Sequence, residues 1–404
     1  MTSSPAIRYS DVLTLPGVPV TFGAALVGRS AYALVLLPLF YAVTDATGSV
    51  ALGGTAIALY GATASFLAPI RAWFIDRFGA RQVLTVLVLL FGASLAVMAS
   101  VSLLGGSGAA LITLATIAGA VAPPLGPTMR VAWGSLAPTP ALLKKGLSFD
   151  SVIEELLYLV GPAIAGLGLA VIAPGQALFV PAALVVFGGL LFVATPAVGS
   201  MASRDRAHPE STGRRPLILE ARFVGLLLPA LVAGAVSGTL TVAVPVALSG
   251  HGGSVAAGIA LGLFAGGSAL GGLLYGALTI PGSPARQLVV LAAALLAASS
   301  FVAIATGSVA MSIVLVIAGL FFSPVMIVAY VAAHAAGGDT RQNSATTWVN
   351  TSHNLGGAAG SALAGVLIQS AGVPTAIAAT VAAAFALLVI SAALDGRRAR
   401  VRSD

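Results

Sequence analysis

Cysteine is absent from the 404-residue chain, which excludes a disulfide framework and thiolate metal sites and leaves the redox compartment unmarked. Charge is nearly as scarce. Nineteen basic and twelve acidic residues make up 8% of the sequence, where a soluble domain of this length would carry roughly 100 charged residues. That deficit excludes an ordinary soluble enzyme and a disordered chain. The pI near 10.2 would suit a nucleic-acid-binding protein, but a net charge of +7 spread over 404 residues forms no electrostatic footprint, so no nucleic-acid partner is expected. The sequence has no nucleophile triad and no phosphate-cradling loop, and its four histidines, at 208, 251, 334 and 353, are too scattered for a metal site. Neither an enzymatic activity nor a cofactor or metal is expected. What the chain has is hydrocarbon: 58% hydrophobic residues and a mean hydropathy of +1.04.

A bilayer-crossing helix needs about 20 mostly apolar residues. Breaks at Gly, Pro and charge clusters divide the chain into twelve such stretches, near 17–42, 49–73, 82–104, 108–133, 148–172, 176–196, 222–247, 254–278, 286–306, 308–334, 343–370 and 374–394. Charge placement tests the count. With the N-terminus inside, the termini and inner loops, helix ends included, hold 16 of the 19 basic residues. Arg29, Arg71 and Arg130 lie within spans, and the outer loops hold none. One missed or invented helix would invert everything after it and destroy this segregation. The expected fold class is therefore all-α integral membrane, with twelve transmembrane helices in the cell membrane and both termini cytoplasmic. The first helix carries Arg29 and no small-residue cleavage site follows it, so it is read as a span rather than a removable signal peptide.

The longest hydrophilic stretch, 197–221, falls at the midpoint, with six helices on either side. Short segments recur across it: Gly48-Ser49-Val50-Ala51 as Gly253-Ser254-Val255-Ala256, Pro127-Thr128-Met129 as Pro324-Val325-Met326, and Gly161-Pro162-Ala163-Ile164-Ala165-Gly166 as Gly360-Ser361-Ala362-Leu363-Ala364-Gly365. The offsets are 205, 197 and 199 residues. Three matches in order, on equivalent helices, indicate two parallel six-helix repeats, a plan used by transporters. The expected domains are an N-terminal bundle (1–196), a central linker (197–221), a C-terminal bundle (222–394) and a basic tail (395–404).

The segment Ala72-Trp73-Phe74-Ile75-Asp76-Arg77-Phe78-Gly79-Ala80-Arg81, between the second and third helices, resembles the G-x-L-x-D-R-x-G-x-R loop signature of the major facilitator superfamily. Gly161, Pro162 and Gly166 resemble the fifth-helix Gly-Pro motif of its proton-coupled efflux members. The resemblance spans the whole chain and implies alternating access of two bundles around a central cavity. There are departures: Ala72 stands for the leading Gly of the loop, and Ala115 stands near the place where many drug antiporters carry a mid-membrane Arg. In physical terms, Gly79 permits a tight turn. Asp76 can face a helix N-terminus, and Arg77 can face a carboxylate. With Arg81 the loop forms a candidate conformational latch, the alternative being a plain positive-inside connector.

Charge inside a membrane is costly and marks function or a structural pair. Arg29 lies about 18 Å into the first span and should face a watery cavity or a carboxylate. Asp150, Glu154 and Glu155 form the acidic cluster of the fifth span. Adjacent carboxylates in low dielectric cannot both ionise cheaply, which suits a proton carrier; the alternative is a structural network with Arg130, Lys144 or Lys145. Glu155, deeper and near Tyr158, is the expected carrier, and Glu154 the expected structural partner. The 199-residue offset maps Glu154 onto His353 and Glu155 onto Asn354. His353 sits in a polar run with Asn350 and Asn354, where a titrating imidazole could gate or bind, or could simply be a satisfied hydrogen-bonding residue. Pro123, Pro124 and Pro127, with Pro324 in the tenth helix, should bend their helices and free backbone carbonyls.

Together these readings point to a secondary transporter that exports small drug- or sugar-like organic molecules in exchange for protons, working as a monomer in the lipid bilayer. The alternatives are a uniporter or importer of a sugar-like or anionic solute anchored by Arg29, and a transporter-fold sensor or scaffold. The topology is directly testable. Reporter fusions after Ser107 and Gly252 should read external and those after Arg206 and the C-terminus internal; an internal Gly252 would overturn the twelve-helix count.

Overall fold

The computed structural model describes residues 9–201, 217–278 and 281–401. The side chains of some helical residues, Asp76 and Glu155 among them, lie outside that description. The described chain is helical throughout. Successive spans are α1 (Val18–Thr47), α2 (Val50–Phe66 continued by Ala68–Phe78), α3 (Ala80–Leu103), α4 (Gly108–Val121 continued by Leu125–Leu136), α5 (Pro140–Leu169) and α6 (Pro174–Ala177 continued by Phe179–Ala194). Beyond the midpoint come α7 (Ala221–Ala247), α8 (Gly253–Ala277) and α9 (Pro284–Ser300). Helical backbone then runs on from Gly307 to Val401.

That last stretch is not one rod. Its first apolar segment is α10, Gly307–Ala333. The Phe322 and His353 rings are 5.6 Å apart, whereas residues 31 positions apart on a straight helix would be separated by about 46 Å. Its second apolar segment, Thr347–Leu394, has 48 residues, or about 72 Å of helix, against about 30 Å of hydrocarbon. The Thr239 hydroxyl lies 3.4 Å from the Gly360 carbonyl and 3.0 Å from the Thr380 hydroxyl, although 20 residues of straight helix span about 30 Å. The chain therefore reverses between them, at Gly372, whose φ of +82° lies in the left-handed region that favours glycine. This divides the segment into α11 (347–371) and α12 (373–394), and completes twelve crossings in two six-helix bundles.

Two boundaries differ from expectation. α5 begins at Pro140 rather than near 148, because Thr139 accepts a hydrogen bond from the Leu142 N–H and Pro140 suits the first helical position. Lys144 and Lys145 are consequently on a helix, not in a loop. The helix holding α12 continues past 394 to Val401, since Ala and Arg are good helix formers.

The two bundles meet through small residues at the end opposite both termini. Gly54 of α2 packs on Ser361 and Gly365 of α11, while Gly258 of α8 packs on Pro162 and Gly166 of α5, with no room for a Cβ at either glycine. Hydrogen bonds join the same surfaces: the Val50 N–H donates to Gln369 Oε1 (2.7 Å), and Ser254 Oγ donates to the Gly166 carbonyl (3.2 Å). Lipid supplies little hydrophobic drive between helices, so such close backbone approach is what holds them. Gly161 instead abuts Ala33 of α1, so the fifth-helix motif places one glycine against its own bundle and another against the opposite one.

Because the contact requires glycine, Gly258→Leu should keep this end from closing. With Tyr158→Cys as the only thiol, a membrane-impermeant reagent applied from that end should react about tenfold faster in the Gly258→Leu background. Unchanged labelling would show that the α5–α8 contact is not a gate.

Candidate functional site

The site grows from a break in α4. Pro123 and Pro124 have no N–H, so the Gly119 and Ala120 carbonyls lose their helical donors. Arg71 of α2 replaces both: its Nη1 donates to each at 2.9 Å, and its Nη2 donates to the Ala64 carbonyl beside the 42° bend of α2. Pro127 likewise removes the helical donor of the Pro123 carbonyl, which accepts instead from the Leu125 N–H (2.9 Å) and from the Tyr32 hydroxyl of α1. In hydrocarbon an unpaired carbonyl costs several kcal/mol. Arg71, 7% exposed, is therefore a cap for broken helices.

The break also starts a new helix, Leu125–Leu136, inside the membrane. Gly126 lies in its first turn, and a Cβ there would sit 3.5 Å from Glu154 Oε1 and 3.6 Å from Arg29 Nε. The positive end of this half-helix thus abuts a carboxylate.

Around that point α1, α4 and α5 contribute four charges. Arg29 Nη1 donates to Asp150 Oδ1, and Arg29 Nη2 lies 3.1 Å from Glu154 Oε1. Arg130 Nη2 donates to Glu154 Oε2, while its Nε is 3.9 Å from Asp150 Oδ2. The square is graded: Asp150 is 0% exposed, Arg29 3%, Glu154 25% and Arg130 47%. It is also incompletely bonded, since Arg29 Nη2 and Asp150 Oδ2 are buried without a hydrogen bond; the Arg29–Glu154 approach is a charge contact. Beside it lies a cavity of about 140 Å³ lined by Arg29, Tyr32, Pro124, Glu154, Leu157 and Tyr158 among others.

Asp150 is the corner of the candidate site that the sequence pattern marked least clearly. Asp150, Glu154 and Tyr158 recur every four residues, which puts them on one helix face; that spacing would have paired Tyr158 with Glu154. Glu154 indeed shares the cavity with Tyr158. The Glu155 side chain lies outside the described residues.

The other predicted residues fall into two groups. His353 of α11 packs its ring against Phe322 of α10 at 71°, its backbone carbonyl crowds Gly234 of α7, and its Nδ1 is buried without a hydrogen bond. Asn354 Nδ2 reaches Asn350 Oδ1 at 3.4 Å. Glu154 on α5 meets α1 and α4, and His353 on α11 meets α7 and α10, the same places in the other bundle.

In the α2–α3 loop, Gly79 has a φ of +88°, as its turn requires. Arg77 is exposed and has no ion pair among the described residues, so the expected carboxylate partner is not among them. The Asp76 side chain lies outside the description. Arg81 donates to the carbonyls of Val193 (3.2 Å), Ala194 (3.2 Å) and Thr195 (3.3 Å). It closes the C-terminus of α6, where unpaired carbonyls and the negative dipole end attract a cation.

A family model described as Major Facilitator Superfamily matches residues 20–282. No curated protein matches the chain. Among solved structures, the nucleoside transporter NupG superposes with a TM-score of 0.73 at 14% identity, over 94% of this chain and 99% of that one. A bacterial homolog of the human lysosomal transporter Spinster, in an inward-facing and occupied conformation, gives 0.65 at 16% identity over 98% of each chain. A POT family transporter in complex with 5-aminolevulinic acid gives 0.65 at 12% identity, over 95% and 96%. At such identities the likeness is one of fold.

The graded burial of the charge square predicts unequal costs. Asp150→Asn strands Arg29 in a buried site and should lower stability by about 3–5 kcal/mol. Glu154→Gln, reached by solvent, should cost much less. Thermal unfolding in detergent measures both, and Arg29→Gln combined with Asp150→Asn should recover part of the loss. Equal melting temperatures for the two single variants would contradict the pairing.

Proposed function

The chain belongs to the major facilitator superfamily, and on that premise we propose that it is a secondary active transporter that exports small organic molecules in exchange for protons. Membership and the twelve-helix fold establish a multi-pass membrane protein of a transporter family; substrate, direction and coupling are the proposal. The observation that supports it is the charge square beside the cavity, whose incompletely bonded Arg29 and Asp150 leave room for a second bonding arrangement. Glu154, bridging two arginines at the cavity edge, is the exchangeable group. When a proton neutralises it, Arg29 and Arg130 lose a shared partner and the α1–α4–α5 contacts loosen. When a solute displaces the proton, they tighten again. A ligand moves such an equilibrium only by binding one arrangement better than the other.

In this reading Tyr32, Tyr158 and Leu157 hold the solute's apolar body. The bundles are 1–196 and 222–394, joined by the linker 197–221. The termini and the basic tail 395–404 are cytoplasmic, so the structure, joined at the opposite end, is the inward-open state. The α2–α3 loop acts as the latch, with Gly79 setting its turn and Arg81 anchoring it to α6. Export follows from the resemblance of Gly161, Pro162 and Gly166 to the efflux motif. The reading of Arg29 as anchor for an anionic solute is less favoured, because Arg29 is already committed to Asp150 and Glu154.

The test is reconstitution into proteoliposomes with an imposed pH gradient and a panel of sugars and aromatic cations. Wild type should accumulate a solute uphill. Glu154→Gln should fall below about a tenth of that rate while keeping solute counterflow, which needs no net proton release. Uphill transport at the wild-type rate in Glu154→Gln would overturn this coupling role, and His353 would be the next residue to examine.

A further inference from the structure

A second site stands at the terminus-bearing end of the other bundle, where the starts of α7 and α9 meet the end of α12. Between them is a groove of about 330 Å³ with an apolar wall that includes Leu226, Val290 and Ala392 and a rim that carries Arg222, Arg286 and Ser283. Both arginines are exposed, and neither has an ion-pair partner among the described residues.

Their positions are unfavourable for the helices themselves. Arg222 lies in the first turn of α7 and Arg286 in the first turn of α9, where the dipole's positive end favours acidic residues. Two cations and two helix N-termini therefore converge on one groove. Glu220, at the N-cap position of α7 without a side-chain hydrogen bond to the helix, is exposed and does not line it. Such a field is complementary to an anion. The form of the groove says which kind: the charged rim is level with the helix ends, and the wall descends along α9 to Val290, which is 57% exposed and lies one turn deeper than Arg286. A charged head over an apolar strip matches an anionic lipid entering from the bilayer. The neighbouring sequence adds to the attraction, with Arg214 and Arg215 before α7 and Arg397, Arg398, Arg400 and Arg402 after α12.

We infer that this groove binds an anionic phospholipid, with Arg222 and Arg286 on the phosphate and an acyl chain along Val290 and Ala392. Basic pockets between transmembrane helices at a membrane surface are suited to such headgroups, and Arg is suited to phosphate by its planar fork of donors.

The experiment is native mass spectrometry of the full-length protein released from nanodiscs of phosphatidylcholine containing phosphatidylglycerol. Wild type should retain phosphatidylglycerol in preference to phosphatidylcholine. Arg222→Gln with Arg286→Gln should retain it about 30-fold less, the equivalent of about 1 kcal/mol per arginine near an anionic surface. Ala392→Trp, which fills the groove without changing charge, should lose it too. Arg397→Gln with Arg398→Gln, which removes the same charge from the tail, should keep it. A tail variant that loses as much lipid as the groove variant would show general surface charge and overturn the site. So would Ala392→Trp retaining lipid while correctly folded, or millimolar inorganic phosphate displacing the lipid from wild type, which would mark a site for free phosphate.

Discussion

Arg29 and Asp150 are almost wholly withdrawn from solvent and pair with each other. A charge in hydrocarbon is expensive enough that it persists only when paired or facing a watery cavity, and here the pairing dictates the arrangement of the first bundle. It requires α1 and α5 to lie side by side at this depth. It puts Glu154, one turn along α5, at the edge of a cavity, and it brings Arg130 in from α4 as the fourth corner. The square is most rigid at Asp150 and most open at Arg130. Its outer half is therefore open to solvent while its inner half holds the helices.

The same rule of satisfaction in hydrocarbon explains the rest of the site. Prolines at 123, 124 and 127 would be damaging in an isolated helix, since three carbonyls lose their donors. Arg71 and Tyr32 supply donors from α2 and α1, beside the Ala122 and Leu125 N–H groups that turn onto the Gly119 and Pro123 carbonyls. The break then becomes useful: it opens a helix N-terminus in mid-membrane next to Glu154. Arg81 does comparable work at the end of α6. Two of the cations in and near the α2 region are thus occupied with main-chain carbonyls, not with carboxylates. That is why a plain tally of charges could not tell caps from coupling residues.

Between the bundles the chemistry changes. Charge is replaced by glycine and backbone contact, at α2 against α11 and α5 against α8. Contacts built from small residues and few hydrogen bonds can be exchanged for similar ones as two rigid bodies rock, whereas a buried salt bridge could not be broken and remade at low cost. Among the described residues the ion pairs lie within the first bundle, while close glycine packing serves both the interior of each bundle and the contact between them.

Twelve spans, their grouping into two repeats and the proline break of α4 were legible in the sequence, because they depend on local quantities: runs of apolar residues long enough for a bilayer, basic residues confined to one set of loops, and prolines that cannot donate. The helix runs on through Pro324, and the breaks at Leu67 and Leu178 were not among those expected. The intramembrane charges were legible as important for the same reason, and the four-residue spacing of Asp150, Glu154 and Tyr158 held more than was read from it. Which charge meets which was decided by the tertiary structure alone. Arg29 and Asp150 are 121 positions apart, and Arg71 and its carbonyl partners 48 and 49; no periodicity links residues on different helices. The reversal at Gly372 and the groove between α7, α9 and α12 belong to the same class. Each exists only once separate helices have packed, since hydrophobicity acts along the chain and without direction, while ion pairs, caps and glycine contacts require two surfaces already in place.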